Sequence, residues 1–175
     1  MKHLLTYTGA AALGLLILGL SSADDKPGAE TAKPSLAVIK KLAGDWLEVD
    51  KDGKPTTKLV SQVRVTAGGS AVRETIFPGT DMEMVTMYTQ DGSDLIMTHY
   101  CILGNQPRLK AEAAGAKKIV FKCVGGGNLK LDKDTYMGQT TLTLIDDDHI
   151  SVECVKCENG KPCEGSHKMQ LVRKK

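Results

Sequence analysis

Residues 95 to 108 read LIMTHYCILGNQPR, in which an alternating apolar segment carries a histidine and a cysteine into a polar turn. Since the side chains of a strand alternate between its two faces, Leu95, Met97, His99 and Cys101 share one face. Both faces are mostly apolar, which indicates a strand that is covered on both sides and a buried His99. The stretch therefore predicts a β-strand that packs into a core and ends in a tight turn.

The same alternation recurs on both sides of this stretch, between turn residues, as far as residue 172. Before it, apolar residues at helical spacing predict one short amphipathic helix from Leu36 to Gly44. Strands in up-and-down order suit a closed barrel, because closure removes the exposed edges of the sheet. We therefore predict an all-β, up-and-down antiparallel β-barrel of about ten strands with one short N-terminal helix. The predicted strands lie near residues 45–50, 57–66, 70–77, 84–90, 95–102, 108–113, 118–124, 139–145, 149–155 and 165–172.

Two connections between the predicted strands carry further expectations. If Asn159-Gly160 is a two-residue turn, Val152 faces His167 across the final hairpin. The stretch from Gly125 to Gly138 is the longest interruption between strands, and we expect it to be a loop that covers a mouth of the barrel.

Residues 1 to 23 have the pattern of a secretory signal peptide, with a basic start, an apolar run and small residues that end at Ala23. We expect cleavage near Ala23 and export to the periplasm or the exterior. The apolar run is short for a membrane span, so no permanent membrane insertion is expected after cleavage; an uncleaved anchoring helix is the alternative. Residues 24 to 34 then form a flexible leader, and residues 35 to 175 form a single barrel domain.

The composition and the absence of known motifs argue against several classes of function. The formal net charge is +2 and no basic face is interleaved with aromatic residues, so nucleic acid is not expected as a partner. The sequence has no nucleophile elbow, metalloprotease helix, phosphate-binding loop or dinucleotide fingerprint. The sequence therefore offers no catalytic or nucleotide-binding residue on which a hydrolase or nucleotide-binding hypothesis could be based.

The chain contains five cysteines. Cys154, Cys157 and Cys163 precede His167 and together offer the donor atoms of a tetrahedral zinc site. Their spacing matches no zinc-binding pattern closely, and export favours disulfides, so we expect a disulfide among these three cysteines. Structural zinc and free thiols are the alternatives.

Two inward-facing polar side chains are candidates for a site. His99 and Cys101 lie roughly 6–7 Å apart on one strand face, which suits a shared ligand or metal better than a nucleophile and its base. A core histidine bonded to a neighbour is the simpler interpretation. Glu74 shares a face with Val72 and Ile76; if that face is interior, the carboxylate needs a partner such as Arg108, His99 or a ligand. If the opposite face is interior, Glu74 is solvated.

Several motifs resemble a known family. Leu42-Ala43-Gly44-Asp45-Trp46 resembles the opening of lipocalin-like (calycin) barrels, in which a helix leads into Gly-x-Trp on the first strand. The sequences FPGT at 77–80, MVTMY at 84–88, THYC at 98–101 and GNQPR at 104–108 are similar to those of a bacterial exported family of unknown function. The resemblance covers residues 36 to 173 and implies a lipocalin-like barrel without a settled activity.

The sequence also departs from that family. Histidines often occupy the positions of Met82, Tyr136 and Gly138 there, and an aromatic residue often occupies that of Cys154. If those histidines join His99 in a metal or haem site, this chain has lost most of the site. The identity of any cofactor or metal is therefore left open.

Three functional hypotheses follow. The leading one is an exported, non-enzymatic barrel that holds a small, mostly apolar ligand, because alternating strands surround an interior with few polar groups. The second is haem or transition-metal binding through His99 with Met97 or Cys101. The third is an enzyme that uses Glu74, His99 and Arg108. The candidate ligand-binding residues are Glu74, Tyr88, His99, Cys101, Asn105, Gln106 and Arg108.

Overall fold

The computed structural model describes residues 33–113 and 117–175. The predicted signal peptide at residues 1–23 and all but the last two residues of the predicted leader lie outside the described residues. A short helix, α1 (Leu36–Lys40), precedes the sheet and ends earlier than the predicted Gly44. Within the two described ranges, no helix is long and apolar enough to cross a membrane.

The described residues contain eleven strands and one short 3-10 turn (Ala67–Gly69). Ten of the strands form a closed antiparallel β-barrel, as predicted, and one short strand lies outside the ring. The strands are β1 (Gly44–Val49), β2 (Pro55–Thr66), β3 (Ala71–Ile76), β4 (Met84–Asp91), β5 (Asp94–Tyr100), β6 (Gln106–Ala113), β7 (Lys118–Gly127), β8 (Thr135–Leu144), β9 (His149–Glu158), β10 (Lys161–Pro162) and β11 (His167–Arg173).

The barrel follows simple up-and-down order. Each strand from β1 to β9 pairs with the next one along the chain, and β11 pairs with both β9 and β1. The additional strand, β10, pairs with the last residues of β9 beyond the end of β11. Because β11 joins the first strand to the ninth, the ring has no free edge, which is the physical advantage of closure over an open sheet.

The two ends of the barrel differ. Helix α1 lies at the end where β2 turns into β3 and β4 turns into β5, and the Leu36 backbone N–H donates to Gln90 Oε1 over 3.0 Å. Ile39 of this helix and Trp46 of β1 are fully buried, so they fill this end with apolar side chains. The β3–β4 and β5–β6 connections lie at the opposite end, where no helix of the described residues covers the interior. The barrel is therefore closed at one end and open at the other.

The final hairpin differs from its predicted register. Residues 159–160 do form a two-residue turn. Between β10 and β11, however, the chain has two residues more than a regular hairpin would need, and they lie within residues 163–166. Val152 consequently faces Met169 instead of His167. Because the offset is two residues and side chains alternate with period two, every side chain of β11 keeps its predicted face.

Half of the predicted loop from Gly125 to Gly138 is strand. Strand β7 continues through Gly127 and β8 begins at Thr135, which leaves only residues 128–134 as the connection. Gly126 pairs with Pro107 of β6, and a Cβ atom at Gly126 would collide with the backbone oxygen of Gln106. The glycines therefore permit a close approach of two strands and do not mark a flexible loop.

The predicted disulfide does not form. All five cysteines, which lie in the described part of the chain, have free thiols. Cys157 pairs with Pro162 and Cys154 pairs with His167, so the register of the hairpin brings no two cysteines directly opposite each other. A disulfide between neighbouring strands requires a closer approach of the two Cβ atoms than this arrangement gives.

Candidate ligand-binding site

A cavity of about 770 Å³ occupies the interior of the barrel and opens at the end opposite α1. It exists because the inward positions carry side chains of moderate size, while the whole chain has only two phenylalanines and one tryptophan. A ring of this many strands is wider than such side chains can fill. The apolar part of its wall includes Ile39, Leu42, Met97, Phe121, Leu142, Ile150 and Leu171.

Glu74 of β3 lies in the cavity wall on the same face as Ile76, so the inward alternative is the one that the structure adopts. Its carboxylate accepts two hydrogen bonds: Ser61 Oγ donates to Oε1 over 2.6 Å, and Tyr88 Oη donates to Oε2 over 2.7 Å. Neither Arg108 nor His99 is its partner. No ion pair within residues 33–113 and 117–175 involves Glu74.

The hydroxyl of Tyr88 is held in its protonated form. Burial raises the pKa of Tyr88 well above its usual value, and the negative charge of Glu74 raises it further. The tyrosine therefore acts as a hydrogen-bond donor to the carboxylate. Its ring also packs against Phe121, with 5.9 Å between the two ring centroids.

Strand register explains why these side chains meet. Glu74 on β3 pairs with Thr86 on β4, and Thr86 pairs in turn with His99 on β5. Paired residues point to the same side of a sheet, so the three side chains form one polar row across the inner wall. Ser61 and Tyr88 flank Glu74 diagonally, on β2 and β4, within reach of its two oxygens.

His99 is almost completely buried, with 1% of its surface exposed, as the sequence predicted. Its Nδ1 atom forms a hydrogen bond with Thr86 Oγ1 over 2.9 Å. Burial lowers the pKa of His99 from 6.5 to about 4, because a charged imidazolium would lose its hydration. The imidazole is therefore neutral at neutral pH, and its Nε2 atom has no hydrogen-bond partner among the described residues.

The wall formed by β8 and β9 carries a thiol. Cys154 Sγ lies 3.7 Å from Thr140 Oγ1. Burial raises the pKa of the Cys154 thiol; the hydrogen bond with Thr140 opposes this effect, and the negative charge of Glu74 adds to it. A thiol that stays protonated is a weak nucleophile. Cys154 therefore contributes volume and weak polarity to the cavity, and not nucleophilic chemistry.

Four of the seven candidate residues from the sequence line the cavity: Glu74, Tyr88, His99 and Cys101. The other three are bound elsewhere. Arg108 donates to Asp91 Oδ2 over 2.7 Å at the protein surface, Asn105 Nδ2 donates to the Thr135 backbone oxygen, and Gln106 Nε2 donates to the Gly104 backbone oxygen. The structure therefore does not bring Glu74, His99 and Arg108 together in one cavity.

Two of the wall residues that were not among the candidates bind the buried polar groups. Ser61 and Thr86 are both 2% exposed and hold Glu74 and His99 in place. The alternation of side chains along β4 is the sequence feature that could have indicated Thr86, because this residue lies between Met84 and Tyr88 at the inward positions of the strand. A serine or threonine at such a position can equally be a small residue that only occupies space in the core. Its role as a hydrogen-bond partner is therefore recognisable only from the structure.

The donor set offers little to a metal ion. Within residues 33–113 and 117–175, no three His, Cys, Asp or Glu side chains are grouped so that they could hold one. Met97 and His99 of β5 and Cys101, which follows this strand, do lie along one wall, but all three come from one segment of the chain at every second residue. Binding of haem or a transition metal through His99 stays a prediction from the sequence.

The fold and the cavity together define a closed antiparallel β-barrel with a mostly apolar interior and a small cluster of fixed polar groups. Comparison with protein-family models finds no match to this sequence, and comparison with curated proteins finds none either. The function proposed below is therefore based on the geometry of the cavity.

Proposed function

We propose that this protein is an exported, non-enzymatic barrel that binds a small, mostly apolar molecule in its cavity. The observation that carries the proposal is the cavity itself: about 770 Å³ bounded mainly by aliphatic side chains, a volume within the range of small-molecule sites. An interior that side chains do not fill lacks packing contacts, and this lowers the stability of the fold. A bound apolar ligand would restore those contacts and offset the loss.

The open end of the barrel suits the entry of an apolar molecule. Met82, Ile102 and Leu103 line the mouth and are 50%, 50% and 54% exposed. Large apolar side chains that stay exposed at the rim of a cavity are typical of ligand-binding entrances. They give a continuous apolar path from the rim to the interior.

The chemistry of the polar groups favours binding over catalysis. His99 is neutral and fixed by Thr86, and the Cys154 thiol has a raised pKa. The Arg108 guanidinium, which an enzyme with Glu74 and His99 would need, lies at the surface. The cavity thus has hydrogen-bonding groups that orient a ligand, without an activated nucleophile beside a base.

Fluorescence titration with N-phenyl-1-naphthylamine, excited directly, tests the proposal. We expect saturable binding with a blue shift of the probe's emission. Cys154→Trp, which places a large side chain in the cavity, should weaken binding by about tenfold or more. Lys122→Trp is the matched control, because residue 122 is 53% exposed on the outer surface of β7.

Absence of saturable binding by the unsubstituted protein would refute the proposal, and so would equal binding by both tryptophan variants. Circular dichroism establishes whether each variant is folded. If Cys154→Trp fails to fold, Val152→Phe provides a smaller obstruction in the same wall. Native mass spectrometry of protein purified from its own compartment supplies an independent readout, since a retained ligand adds a defined mass.

A further inference from the structure

We propose that the ligand is an apolar molecule with a protonated amine and that Glu74 is its counter-ion. This inference rests on the proposed function, because it specifies which small molecules the cavity selects. It follows from an imbalance of charge in the cavity wall, from the hydrogen bonds that Glu74 already makes, and from the aromatic residue that binds it.

Glu74 places its carboxylate between two hydroxyl groups in the cavity wall. Both of its oxygens accept hydrogen bonds from neutral hydroxyls at 2.6 and 2.7 Å, short distances that are typical of an ionised acceptor. A carboxylate in an apolar wall is usually paired with a cation. Ser61 and Tyr88 supply donors but no charge.

Two lysines, Lys58 and Lys156, are among the residues that line the cavity. Lys58, at the mouth, pairs with Glu48 over 3.2 Å, and Lys156 forms no ion pair with Glu74 in the described chain. His99, which lies in the same polar row, is neutral. The described protein therefore leaves the charge of Glu74 uncompensated, and a ligand that supplies one positive charge would balance it.

The carboxylate of Glu74 has acceptor capacity left for a ligand. A carboxylate can accept about four hydrogen bonds and Glu74 uses two, so acceptor sites remain for the N–H groups of an ammonium ion. Tyr88, whose hydroxyl binds the carboxylate, packs its ring against that of Phe121 in the cavity wall. Aromatic faces attract cations, so the surroundings of the carboxylate favour a positive headgroup. The aliphatic wall, with Met97, Leu142 and Ile150, would hold the apolar body of the ligand.

This arrangement predicts a selectivity among molecules with the same apolar body. A fatty acid would place a second negative charge beside Glu74, which is unfavourable in an interior of low polarity. A fatty alcohol would offer one hydrogen bond but no charge. A fatty amine satisfies both the remaining acceptor sites and the charge.

Displacement of N-phenyl-1-naphthylamine by dodecylamine, dodecanol and dodecanoic acid, each below its aggregation limit at neutral pH, tests the inference. We expect dodecylamine to displace the probe at a concentration about tenfold lower than either of the others. Glu74→Gln, which keeps the shape and removes the charge, should abolish this preference. Glu112→Gln is the matched control, because Glu112 is 55% exposed on the outer surface, and it should keep the preference.

The outcomes separate the inference from the proposed function. Saturable binding of the probe with equal displacement by the three compounds would overturn the amine inference and leave the apolar site intact. Lack of probe binding would refute the site altogether. A preference that persists in folded Glu74→Gln would also overturn the role of Glu74. The comparison in the unsubstituted protein decides the ligand class even if that variant does not fold.

Discussion

The guanidinium of Arg173 lies over the indole ring of Trp46, with 4.4 Å between Cζ and the ring centroid. The two residues face each other across β11 and β1, the strand pair that joins the end of the barrel to its beginning. Arg173 also donates hydrogen bonds to the Ala43 and Lys41 backbone oxygens, and Trp46 Nε1 donates to the Leu42 oxygen. These contacts tie the segment after α1 to the last strand.

Replacing Arg173 by lysine tests this connection. Lysine keeps the positive charge but loses the planar stacking on Trp46 and the forked set of hydrogen bonds, so we expect the free energy of unfolding to fall by about 2–3 kcal/mol. Urea denaturation measures the change. Arg108→Lys, at an exposed ion pair with Asp91, should change it by less than about 0.5 kcal/mol. Equal effects of the two substitutions would contradict the structural role of Arg173.

The hydrogen bond between Tyr88 and Glu74 should appear as coupling in a double-mutant cycle. Tyr88→Phe leaves Glu74 with one donor fewer, and we expect a loss of about 1–3 kcal/mol in the free energy of unfolding. Adding Glu74→Leu removes the unsatisfied carboxylate, so the double variant should be less destabilised than the sum of the single variants by about 1–2 kcal/mol. Tyr100→Phe, at an exposed tyrosine, is the control. Additive effects would show that the two side chains act independently.

The stability of the fold should depend on pH through His99. The pKa of the folded histidine, about 4, lies below the usual 6.5, so the unfolded chain binds a proton more readily. The stability that the fold gains from keeping His99 neutral is therefore fully present above pH 6.5, and it is lost as the pH falls towards 4. Over that window we expect the loss to reach about 3 kcal/mol.

His99→Gln isolates this effect, since the other titrating groups are common to both proteins. Urea unfolding at several pH values should show a stability gap between the unsubstituted protein and the variant that narrows below pH about 6.5. A gap of constant size across the window would mean that His99 is not buried as a neutral imidazole.

The cysteines give a covalent test of the hairpin. Alkylation of the unfolded, unreduced protein should modify all five thiols, because the structure contains five free cysteines. A disulfide would protect two of them, and a fully reduced sample provides the reference mass. In the folded protein Cys154 should react slowly, since burial raises its pKa and thiolate is the reactive form. Rapid modification of Cys154 would indicate that the cavity wall opens.

The sequence predicts the barrel well because alternation and turn residues are local signals. Its errors arise where a structural feature depends on distant parts of the chain. The two residues added before β11 changed the register of the last hairpin, and the glycines after Cys123 pair with β6 and form no loop. Neither the shifted register nor the pairing of the glycines can be predicted from the sequence of the strand that it affects.

The site was only partly predictable for a related reason. Ala71 and Thr75 are buried on one face of β3 while Val72 is buried on the other, so composition alone could not decide the direction of Glu74. Its partners come from two other strands. Arg108, in contrast, could have been excluded from the sequence, because it alternates with the apolar Leu109 and Ala111, and the structure does bury Leu109.

The pairing of β11 with both β1 and β9 also determines when the protein can fold. The contacts between β1 and β11 join residues separated by most of the sequence, and long-range pairings of this kind slow folding. A growing chain that has not yet reached residue 167 would leave β1 and β9 as open edges, which invite association with other chains. Barrel closure, and with it the cavity, therefore waits until the last strand has been synthesised.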